Sequence, residues 1–365
     1  MTAPLVLMMA GGTGGHVYPA LAVALELVER GYRIEWLGTA RGLESRVVPD
    51  NGIPIHYLSV RGMRGKRLLD RVLGVFSLAV ASLQALWLVL KLAPRCVVGM
   101  GGYASGPGGV AAWLLRKPLL VQEQNAVAGT TNRLLAPLAN TVVAGFPGAF
   151  PAAIDCEVLG NPVRRELLQA REETAYDFRG QRTPRVLVLG GSLGARPLNE
   201  LLPAALAAYV DAAETSSVEV WHQTGAAHLE TVTSAYAAHD GVTVRLSAFI
   251  EDMVAAYGWA DLIVCRAGAL TVAEIAIVGR PSILVPLPHA IDDHQTANAR
   301  YLADRGAAIS LRQAELDGAG LADQLRDLLG NPDRLRAMAT AAREAGFPQA
   351  TAAVSDACEA LIHAH

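Results

Sequence analysis

Residues 5–16, LVLMMAGGTGGH, decide the fold of this chain. The run Leu5–Met9 is apolar without interruption, which predicts a β-strand buried on both faces of a parallel sheet. The glycine-rich segment Gly11–His16 follows, and Val17–Arg30 then shows the apolar spacing of a helix. A strand, a glycine turn and a helix in this order begin an α/β domain. The N-terminus of such a helix offers N–H groups and a positive dipole end to an anionic ligand.

The same succession of apolar strand and glycine-rich turn occurs three more times. Glycines allow the backbone to turn tightly and to approach a ligand closely. The later turns are Gly99–Gly106 after Cys96–Val98, Gly190–Arg196 after Arg185–Leu189, and Arg266–Thr271 after Leu262–Cys265. Because ligands of parallel α/β sheets bind at the carboxyl ends of the strands, four such turns predict ligand-binding loops.

Short apolar runs alternate with helical stretches along most of the chain, which predicts two α/β domains. The chain has 365 residues, of which 52% are apolar, and this length exceeds one ordinary core. We place a hinge near residues 161–165 and predict domains at 1–162 and 163–344, with a terminal helix in 345–365 that packs back on the first domain. The other predicted strands are Ile34–Leu37, Leu119–Val121, Thr141–Ala144, Val218–Trp221, Val242–Leu246 and Ser282–Val285.

The net charge of −3 conceals two halves of opposite sign. Residues 1–163 carry 14 basic and 9 acidic side chains, whereas residues 164–365 carry 17 basic and 25 acidic ones. A basic first half suits an anionic partner such as a phosphate-rich ligand or a membrane surface. Nucleic acid is the less favoured partner, because the basic residues are dispersed and few aromatic residues lie among them.

An uncharged segment of 19 residues, Val72–Leu90, follows a cluster of basic residues. Its length is enough for a transmembrane helix, but Ser77, Ser82 and Gln84 interrupt it and it lies between two strands of one sheet. A helix lying in the interface of an anionic membrane is favoured, and an ordinary core helix is the alternative. The residues expected to contact the membrane are Arg64, Lys66, Arg67, Phe76 and Trp87.

Several other kinds of site fit the sequence less well. A dinucleotide site needs a third glycine where Val17 stands and an acidic residue at the end of the second strand, whereas Glu35 lies inside that strand. The cluster of His289, Asp292, Asp293 and His294 fits no familiar zinc or calcium spacing. No Asp-X-Asp triplet, P-loop or Gly-X-Ser-X-Gly motif is present.

The glycine turns belong to a longer series of motifs that resembles one enzyme family. That family is the bacterial N-acetylglucosaminyltransferases that convert lipid I to lipid II in peptidoglycan synthesis. The resemblance covers nearly the whole chain in order. The motifs are Gly11–His16, Gly101–Gly106, Glu123–Asn125, Gly160–Arg164, Gly190–Arg196, Ala267–Glu274 and Asp292–Ala299.

This resemblance implies the GT-B architecture, in which two Rossmann-like domains enclose an interdomain cleft. It implies UDP-N-acetylglucosamine (UDP-GlcNAc) as donor and undecaprenyl-pyrophosphoryl-MurNAc-pentapeptide (lipid I) as acceptor. The acceptor C4 hydroxyl attacks the anomeric carbon with inversion and UDP leaves, without a metal or any other cofactor. It also implies a peripheral enzyme on the cytoplasmic face of the bacterial inner membrane, in the company of other cell-wall synthesis proteins. The first domain would bind acceptor and membrane, and the second would bind UDP-GlcNAc.

The resemblance also assigns roles to individual residues. The catalytic candidates are His16 as the general base, with Glu123 next. The residues expected to bind UDP-GlcNAc are Thr13, Gly14, Gly15, Asn125, Arg164, Ser192, Ile250, Ala269, Leu270, Thr271, Val272, Ala273, Glu274 and Gln295. Within this set, Glu274 would accept hydrogen bonds from the ribose and Ile250 would contact the uracil by its backbone. The residues expected to bind the acceptor are Gly102, Tyr103 and Ser105.

The position of His16 agrees with the role of a base, because a helix N-terminus disfavours imidazolium. A purely structural His16 that caps the loop is the alternative. The chain departs from the family at Gln122, where the family commonly has histidine, so no titratable group stands there. Two rival functions remain open: a UDP-sugar 2-epimerase of the same fold, and a nucleotide-sugar-binding membrane scaffold without catalysis.

Overall fold

Two parallel β-sheets, one in each half of the chain, organise the protein. The computed structural model describes residues 3–59, 68–173, 175–191, 193–212, 217–288 and 291–364, with their side chains except those of 68–76 and 291. Contacts divide the chain into a first unit, residues 1–164 with 348–365, and a second unit, residues 165–347. The predicted α/β class is confirmed, since both sheets are parallel and helices separate most of the successive strands.

The first unit contains a seven-stranded sheet. Its strands are β1 (Leu5–Met9), β2 (Arg33–Gly38), β3 (Ile55–Tyr57), β4 (Cys96–Gly99), β5 (Leu119–Glu123), β6 (Thr141–Ala144) and β7 (Glu157–Val158). Its first helices are α1 (Gly14–Glu29), α2 (Glu44–Asp50), α3 (Leu68–Leu92), α4 (Ser105–Leu114) and α5 (Thr130–Leu135). The strand order is β3-β2-β1-β4-β5-β6-β7.

The central strand β1 is covered on both faces, as its uninterrupted apolar sequence predicts. Val6 and Met8 pack into the core on the side of α1, whereas Leu7 and Met9 pack into the core on the side of α3 and α4. Because successive side chains of a strand point to opposite faces, an apolar run of this kind suits a strand buried between two layers of helices.

The second unit contains a six-stranded sheet in the order β10-β9-β8-β11-β12-β13. Its strands are β8 (Arg185–Leu189), β9 (Val218–Gln223), β10 (Val242–Ser247), β11 (Leu262–Cys265), β12 (Ser282–Leu284) and β13 (Ala308–Ser310). Its helices are α6 (Arg165–Glu173), α7 (Arg196–Ala212), α8 (Leu229–Ala237), α9 (Met253–Trp259), α10 (Ala269–Val278), α11 (His294–Ala303), α12 (Gly318–Leu329) and α13 (Pro332–Ala345).

The last helix, α14 (Ala350–Ala364), belongs to the first unit. Its side chains Val354, Cys358 and Ile362 enter the core that α1 covers. On the outer side of this contact, the guanidinium of Arg30, the C-cap of α1, lies 2.6 Å from an Asp356 carboxylate oxygen and 2.8 Å from one of Glu359. The first unit is therefore built from two segments of the chain that are far apart in sequence.

A buried polar network around His222 of β9 stabilises the second unit. His222 Nε2 lies 2.9 Å from Asn199 Oδ1, and its Nδ1 lies 3.1 Å from the Tyr236 hydroxyl. Asn199 Nδ2 donates to the Thr224 carbonyl at 2.9 Å, so Asn199 Oδ1 must accept and His222 Nε2 must carry a proton. Burial lowers the pKa of His222 to about 3, and the ring is neutral in the folded chain.

This network predicts a pH dependence of the stability of the second unit. The unfolded chain binds a proton at His222 below about pH 6.5, whereas the folded chain resists protonation, so the unfolded chain binds more protons in this window. The contribution to stability is complete above about pH 6.5 and falls as the pH decreases, by at most about 1.4 kcal/mol per pH unit. Hydrogen exchange of the β9 amides at about pH 7 and about pH 4.5 measures this loss.

The matched control is His222→Gln, which puts an amide in the place of the ring and cannot be protonated. The difference between the two pH values should be smaller in this variant than in the parent chain. Equal pH dependence in both would contradict the assignment.

Candidate functional site

The order in which successive strands are added to the first sheet changes direction between β1 and β4. These two strands are neighbours, yet β2 and β3 lie on one side of them and β5 to β7 on the other. The loops after β1 and after β4 therefore leave the same edge of the sheet next to each other. This is the switch point at which open α/β sheets bind their ligands. Both loops are among the four that the sequence singled out.

Two glycines let these loops pack closely. Gly102 has φ +86°, and a Cβ there would collide with the backbone of Gly11. Gly101 has φ +91°, and a Cβ there would lie 2.7 Å from Nδ1 of His16. Only glycine adopts such a conformation readily, and because it has no Cβ it leaves room for the neighbouring loop. The second loop therefore forms one wall around the His16 imidazole.

The first loop leads into α1 at Gly14. Thr13 is the N-cap with φ −108° and ψ 161°, and its own side chain makes no capping hydrogen bond. His16 N–H donates to the Thr13 carbonyl at 3.1 Å, which leaves Gly14 and Gly15 to present the first amides of the helix. Thr13 is exposed, whereas Gly14, Gly15 and His16 are half-buried. This arrangement suits a negatively charged group at the helix N-terminus.

The His16 ring is held from the side of its Nδ1 atom. Nδ1 lies 2.6 Å from Oε1 of Gln124, whose side chain is buried. Gln124 follows β5, the next strand in the sheet after β4. Three loops of the first unit thus meet at His16: those after β1, β4 and β5.

Glu123 performs a structural task in the same region. Its buried carboxylate accepts the backbone and side-chain N–H groups of Asn125 at 2.9 Å and 3.0 Å. It also accepts Gly129 N–H at 3.0 Å and the Asn132 side chain at 2.9 Å. With four N–H donors around it, this carboxylate orders the loop that carries Asn125. The geometry therefore favours His16 over Glu123 as the group that takes a proton.

Glu44 is a residue of this site that the motifs did not indicate. Its side chain is fully buried and accepts Gly12 N–H at 2.9 Å, Thr39 N–H at 2.9 Å and the Thr39 hydroxyl at 2.7 Å. It thereby ties the first glycine loop to the end of β2. The sequence carries one signal of this packing, glycine at positions 11, 38 and 42. A Cβ at any of the three would collide with the Glu44 side chain.

The candidate acceptor residues differ in their surroundings. Tyr103 is 49% exposed and projects from the second loop. Ser105 is fully buried, and its hydroxyl lies 2.9 Å from the Met9 carbonyl and 2.7 Å from the Gly101 carbonyl. Ser105 therefore braces the loop from within instead of facing solvent. Arg164, at the end of the first unit, lies with its guanidinium carbon 5.8 Å from the centre of the Tyr18 ring.

The second sheet has a switch point of its own, between β8 and β11. The loops after these strands are the third and fourth glycine-rich turns, although Ser192 of the third turn lies outside the described residues. Helix α10 begins at Ala269, with Gly268 as an N-cap that has no side chain to cap the first turn. The first amides of α10 belong to Ala269, Leu270 and Thr271. They form a second place suited to phosphate.

The next residues of α10 have other roles. Val272 N–H already donates to the Gly268 carbonyl at 2.9 Å, and its side chain is fully buried. Ala273 is half-buried. Glu274 is 5% exposed, and its Oε2 accepts the hydroxyl of Tyr257 at 2.8 Å. Tyr257, which the motifs missed, fixes the orientation of this carboxylate from α9.

Gln223, another residue that sequence reasoning missed, connects two further parts of this site. Its Nε2 donates to the Gly191 carbonyl at 2.8 Å, and its Oε1 accepts Ile250 N–H at 3.0 Å. Ile250 is buried and its amide is occupied, so a ligand contact by its backbone would use the carbonyl.

Gln295 lies at the start of α11, directly after a strained turn. Asp292 and Asp293 both have positive φ, 54° and 50°. Strain of this kind is common where a side chain must be held for function. Gln295 Oε1 accepts Leu287 N–H at 3.0 Å, which ties α11 to the loop after β12.

Apolar side chains are exposed on three helices of the first unit. Leu83, Trp87 and Leu90 of α3 are 68%, 61% and 59% exposed. Trp113 and Leu114 of α4 and Leu134 of α5 are also exposed. Of the predicted membrane residues, Trp87 is among these, the side chain of Phe76 is not described, and Arg64, Lys66 and Arg67 lie outside the described residues. Within the described parts of the chain, none of the helices combines the length and apolarity needed to cross a membrane.

Two family models match the chain, one in each half. The glycosyltransferase family 28 N-terminal domain matches residues 6–144, and the glycosyltransferase family 28 C-terminal domain matches residues 185–354. The fold and these matches place the chain among the family 28 glycosyltransferases. Relatives in Stutzerimonas stutzeri and in Pseudomonas putida KT2440 are each 52% identical over 98% of this chain, which covers 99% and 98% of theirs.

Both relatives carry the same name. The chain belongs to the family of the UDP-N-acetylglucosamine–N-acetylmuramyl-(pentapeptide) pyrophosphoryl-undecaprenol N-acetylglucosamine transferases. The crystal structure of Acinetobacter baumannii MurG is similar with a TM-score of 0.83 and 41% identity, over 98% of this chain and 99% of that one. A Listeria monocytogenes structure described as a UDP-N-acetylglucosamine 2-epimerase has a TM-score of 0.66 at 15% identity, a likeness of fold alone.

Proposed function

We propose that this protein transfers N-acetylglucosamine from UDP-GlcNAc to the C4 hydroxyl of MurNAc in lipid I, giving lipid II and UDP. The observation that carries the proposal is the 52% identity to transferases of that name over 98% of the chain. The two switch-point sites, one in each unit, support it, because the reaction needs a place for a donor and a place for an acceptor.

In this reaction the acceptor hydroxyl oxygen forms a bond to the anomeric carbon of the donor sugar. The bond between that carbon and the diphosphate oxygen breaks, and its electron pair leaves with UDP. The hydroxyl proton passes to a base. The configuration inverts because the attack comes from the face opposite the diphosphate.

The second unit would hold the donor. The first amides of α10, at Ala269, Leu270 and Thr271, would stabilise the charge that the diphosphate gains as it leaves. The Glu274 carboxylate would accept hydrogen bonds from the ribose hydroxyls, and the Ile250 carbonyl would contact the uracil. Gln295 would reach the sugar hydroxyls, and Ser192 and Arg164 would meet phosphate.

The first unit would hold the acceptor. His16 would take the proton of the acceptor hydroxyl, since it is half-buried at the switch point and is held by Gln124. Gly102 and Tyr103 would line the acceptor site, and Thr13, Gly14, Gly15 and Asn125 are proposed as further contacts of UDP-GlcNAc.

The test is release of UDP from UDP-GlcNAc with and without a lipid I analogue. The proposal expects UDP only when the analogue is present, together with a disaccharide product. UDP or a 2-epimer formed without the analogue would favour the epimerase, and binding of UDP-GlcNAc without any release would favour a scaffold.

We also propose that the exposed apolar surface of α3 and α4 binds an anionic membrane, where a lipid-linked acceptor resides. The Lys91 ammonium lies 4.9 Å from the centre of the Trp87 ring, which places a cation beside the apolar surface. Arg116 and Lys117 follow α4 directly. Apolar side chains with basic neighbours are typical of surfaces that enter the membrane interface. An inner-membrane location on the cytoplasmic face, next to other cell-wall synthesis proteins, follows from this function.

Substitution of Trp87 tests the membrane surface. Trp87→Ser should weaken binding to anionic vesicles about tenfold or more, because an exposed Trp buries a large apolar area in the interface. Flotation with vesicles that contain anionic lipid measures the change. The matched control is Val28→Ser, which removes an exposed apolar side chain of α1 and should float like the parent chain. Equal flotation of the parent and the Trp87 variant would contradict the proposal.

A further inference from the structure

Three buried amide side chains lie in a row behind the His16 ring. Asn161 Oδ1 accepts Gln122 Nε2 at 3.2 Å, and Gln122 Oε1 accepts Gln124 Nε2 in a short contact. Gln124 Oε1 lies 2.6 Å from His16 Nδ1. The three amides are 3%, 0% and 1% exposed, so solvent does not compete for these bonds. We call this series the amide relay.

The direction of the amide relay is fixed by the backbone. An amide side chain has a donor end and an acceptor end, and its orientation follows from its partners. Gln124 Nε2 donates to the Met100 carbonyl at 3.1 Å, and Gln122 Nε2 donates to the Glu123 carbonyl at 3.3 Å. Asn161 Nδ2 donates to the Gln124 carbonyl at 2.8 Å. Backbone carbonyls only accept, so a flip of any of the three would set one oxygen against another.

We infer that the amide relay fixes the tautomer of His16. Gln124 must present its oxygen to Nδ1, and this oxygen has no hydrogen to give. Nδ1 therefore carries a proton, and in the neutral ring the lone pair is on Nε2. Gln124 is a positioning residue for His16, with Gln122 and Asn161 holding Gln124 in turn.

The glutamine at 122 bears on this inference. An imidazole in that place can either donate or accept, depending on its own tautomer. Gln122 has one donor end and one acceptor end, and both are occupied in the order that the amide relay requires. In this chain the direction therefore does not depend on a second histidine.

The consequence for catalysis rests on the proposed function. If His16 takes the proton of the acceptor hydroxyl, it does so with Nε2, which is the nitrogen on the far side of the ring from Gln124. A base in the wrong tautomer offers an N–H where a lone pair is needed, and the loss in turnover can reach roughly 10²–10⁴-fold.

The first experiment is nitrogen NMR of the full chain with ¹⁵N-labelled histidine. Loss of a signal pair in His16→Ala assigns His16 among the nine histidines. In the parent chain near neutral pH, the inference expects a protonated Nδ1 and an unprotonated Nε2. A neutral ring with its proton on Nε2 would overturn it, and apart from the assignment this outcome is read from the parent chain.

Two substitutions extend the test. Gln124→Met has nearly the same shape but replaces the amide oxygen with a thioether, which is only a weak acceptor, so the proton should move in part or wholly to Nε2. Gln124→Glu keeps an acceptor for Nδ1. With a proton on its other oxygen, the buried carboxyl donates to the Met100 carbonyl in the place of Nε2, and the variant should keep the tautomer of the parent. A tautomer that is unchanged in a folded Gln124→Met variant would overturn the inference.

Kinetics separate the amide relay from the proposed function. Gln124→Met should lower kcat about tenfold or more with little change in the KM for UDP-GlcNAc, and Gln124→Glu should retain most of kcat. If the parent chain transfers no sugar, the proposed function fails while the NMR result stands. If the parent transfers sugar with its His16 proton on Nε2, the amide relay alone fails.

Discussion

Replacement of His16 by alanine is expected to lower turnover by roughly 10²–10⁴-fold, which is the usual contribution of a positioned general base. The ring is half-buried at the switch point of the first sheet, and its Nδ1 atom is held 2.6 Å from Gln124 Oε1. The α10 amides that are proposed to bind phosphate belong to the second unit, whereas His16 belongs to the first. Binding of UDP-GlcNAc should therefore stay close to that of the parent. Titration of the donor and single-turnover formation of product measure the two quantities separately.

His56→Ala is the matched control for this substitution. His56 is a half-buried histidine of the same unit, with its Nε2 2.6 Å from a Glu35 carboxylate oxygen, on the edge strand β3. It is distant from the switch point in the strand order and should leave turnover almost unchanged. Near-normal turnover in His16→Ala would leave His16 with the role of a structural cap and remove it from the mechanism.

The second large effect is expected at Glu274. Glu274→Ala should raise the KM for UDP-GlcNAc about 10- to 100-fold, because hydrogen bonds to a buried charged group are worth about 1.5–3 kcal/mol. The carboxylate is 5% exposed and is fixed by the Tyr257 hydroxyl at 2.8 Å. The substitution has two effects: it removes the ligand contacts of the carboxylate, and it removes the partner of the Tyr257 hydroxyl. A change in KM alone therefore does not identify the ribose as the group recognised.

Comparison of UDP with 2′,3′-dideoxy-UDP identifies that group. The parent chain should prefer UDP, and Glu274→Ala should bind both with similar affinity. Tyr257→Phe is the control, since it keeps the carboxylate and removes only its buried partner; it should retain the preference at a somewhat weaker affinity. A Glu274→Ala variant that still prefers UDP would contradict the ribose role.

The sequence predicted the central strands well because their signal is local. The bounds of β1, β6, β8 and β11 agree with the predicted runs, each of which is apolar and is followed by a turn. The strands β3, β7 and β13 were not predicted. They contain three, two and three residues, lie at the edges of the sheets, and exist because a neighbouring strand pairs with them.

The candidate site was predicted at the level of loops and less well at the level of single residues. Glycine turns at the ends of apolar strands are visible in sequence, and all four lie at switch points. Glu44 and Gln223 act through backbone groups 32 residues away. No local pattern indicates the partner of Gln223, and for Glu44 the sequence signal is the set of glycines around its side chain. Glu123 and Ser105 show the converse, because each stands in a motif yet its polar atoms are bonded within the first unit. Glu123 accepts from Gly129 and Asn132, and the Ser105 hydroxyl lies at the carbonyls of Met9 and Gly101.

The position of α14 has a consequence for the order in which the protein is made. The first unit needs residues 348–365 to complete the core beneath α1, whereas the second unit is one continuous segment, residues 165–347. On the ribosome the second unit is therefore fully synthesised while the first still lacks its last helix. Domains generally fold as units during synthesis. The unit whose synthesis begins first is thus the unit that is completed last. Its apolar core beneath α1 stays uncovered until α14 has been made.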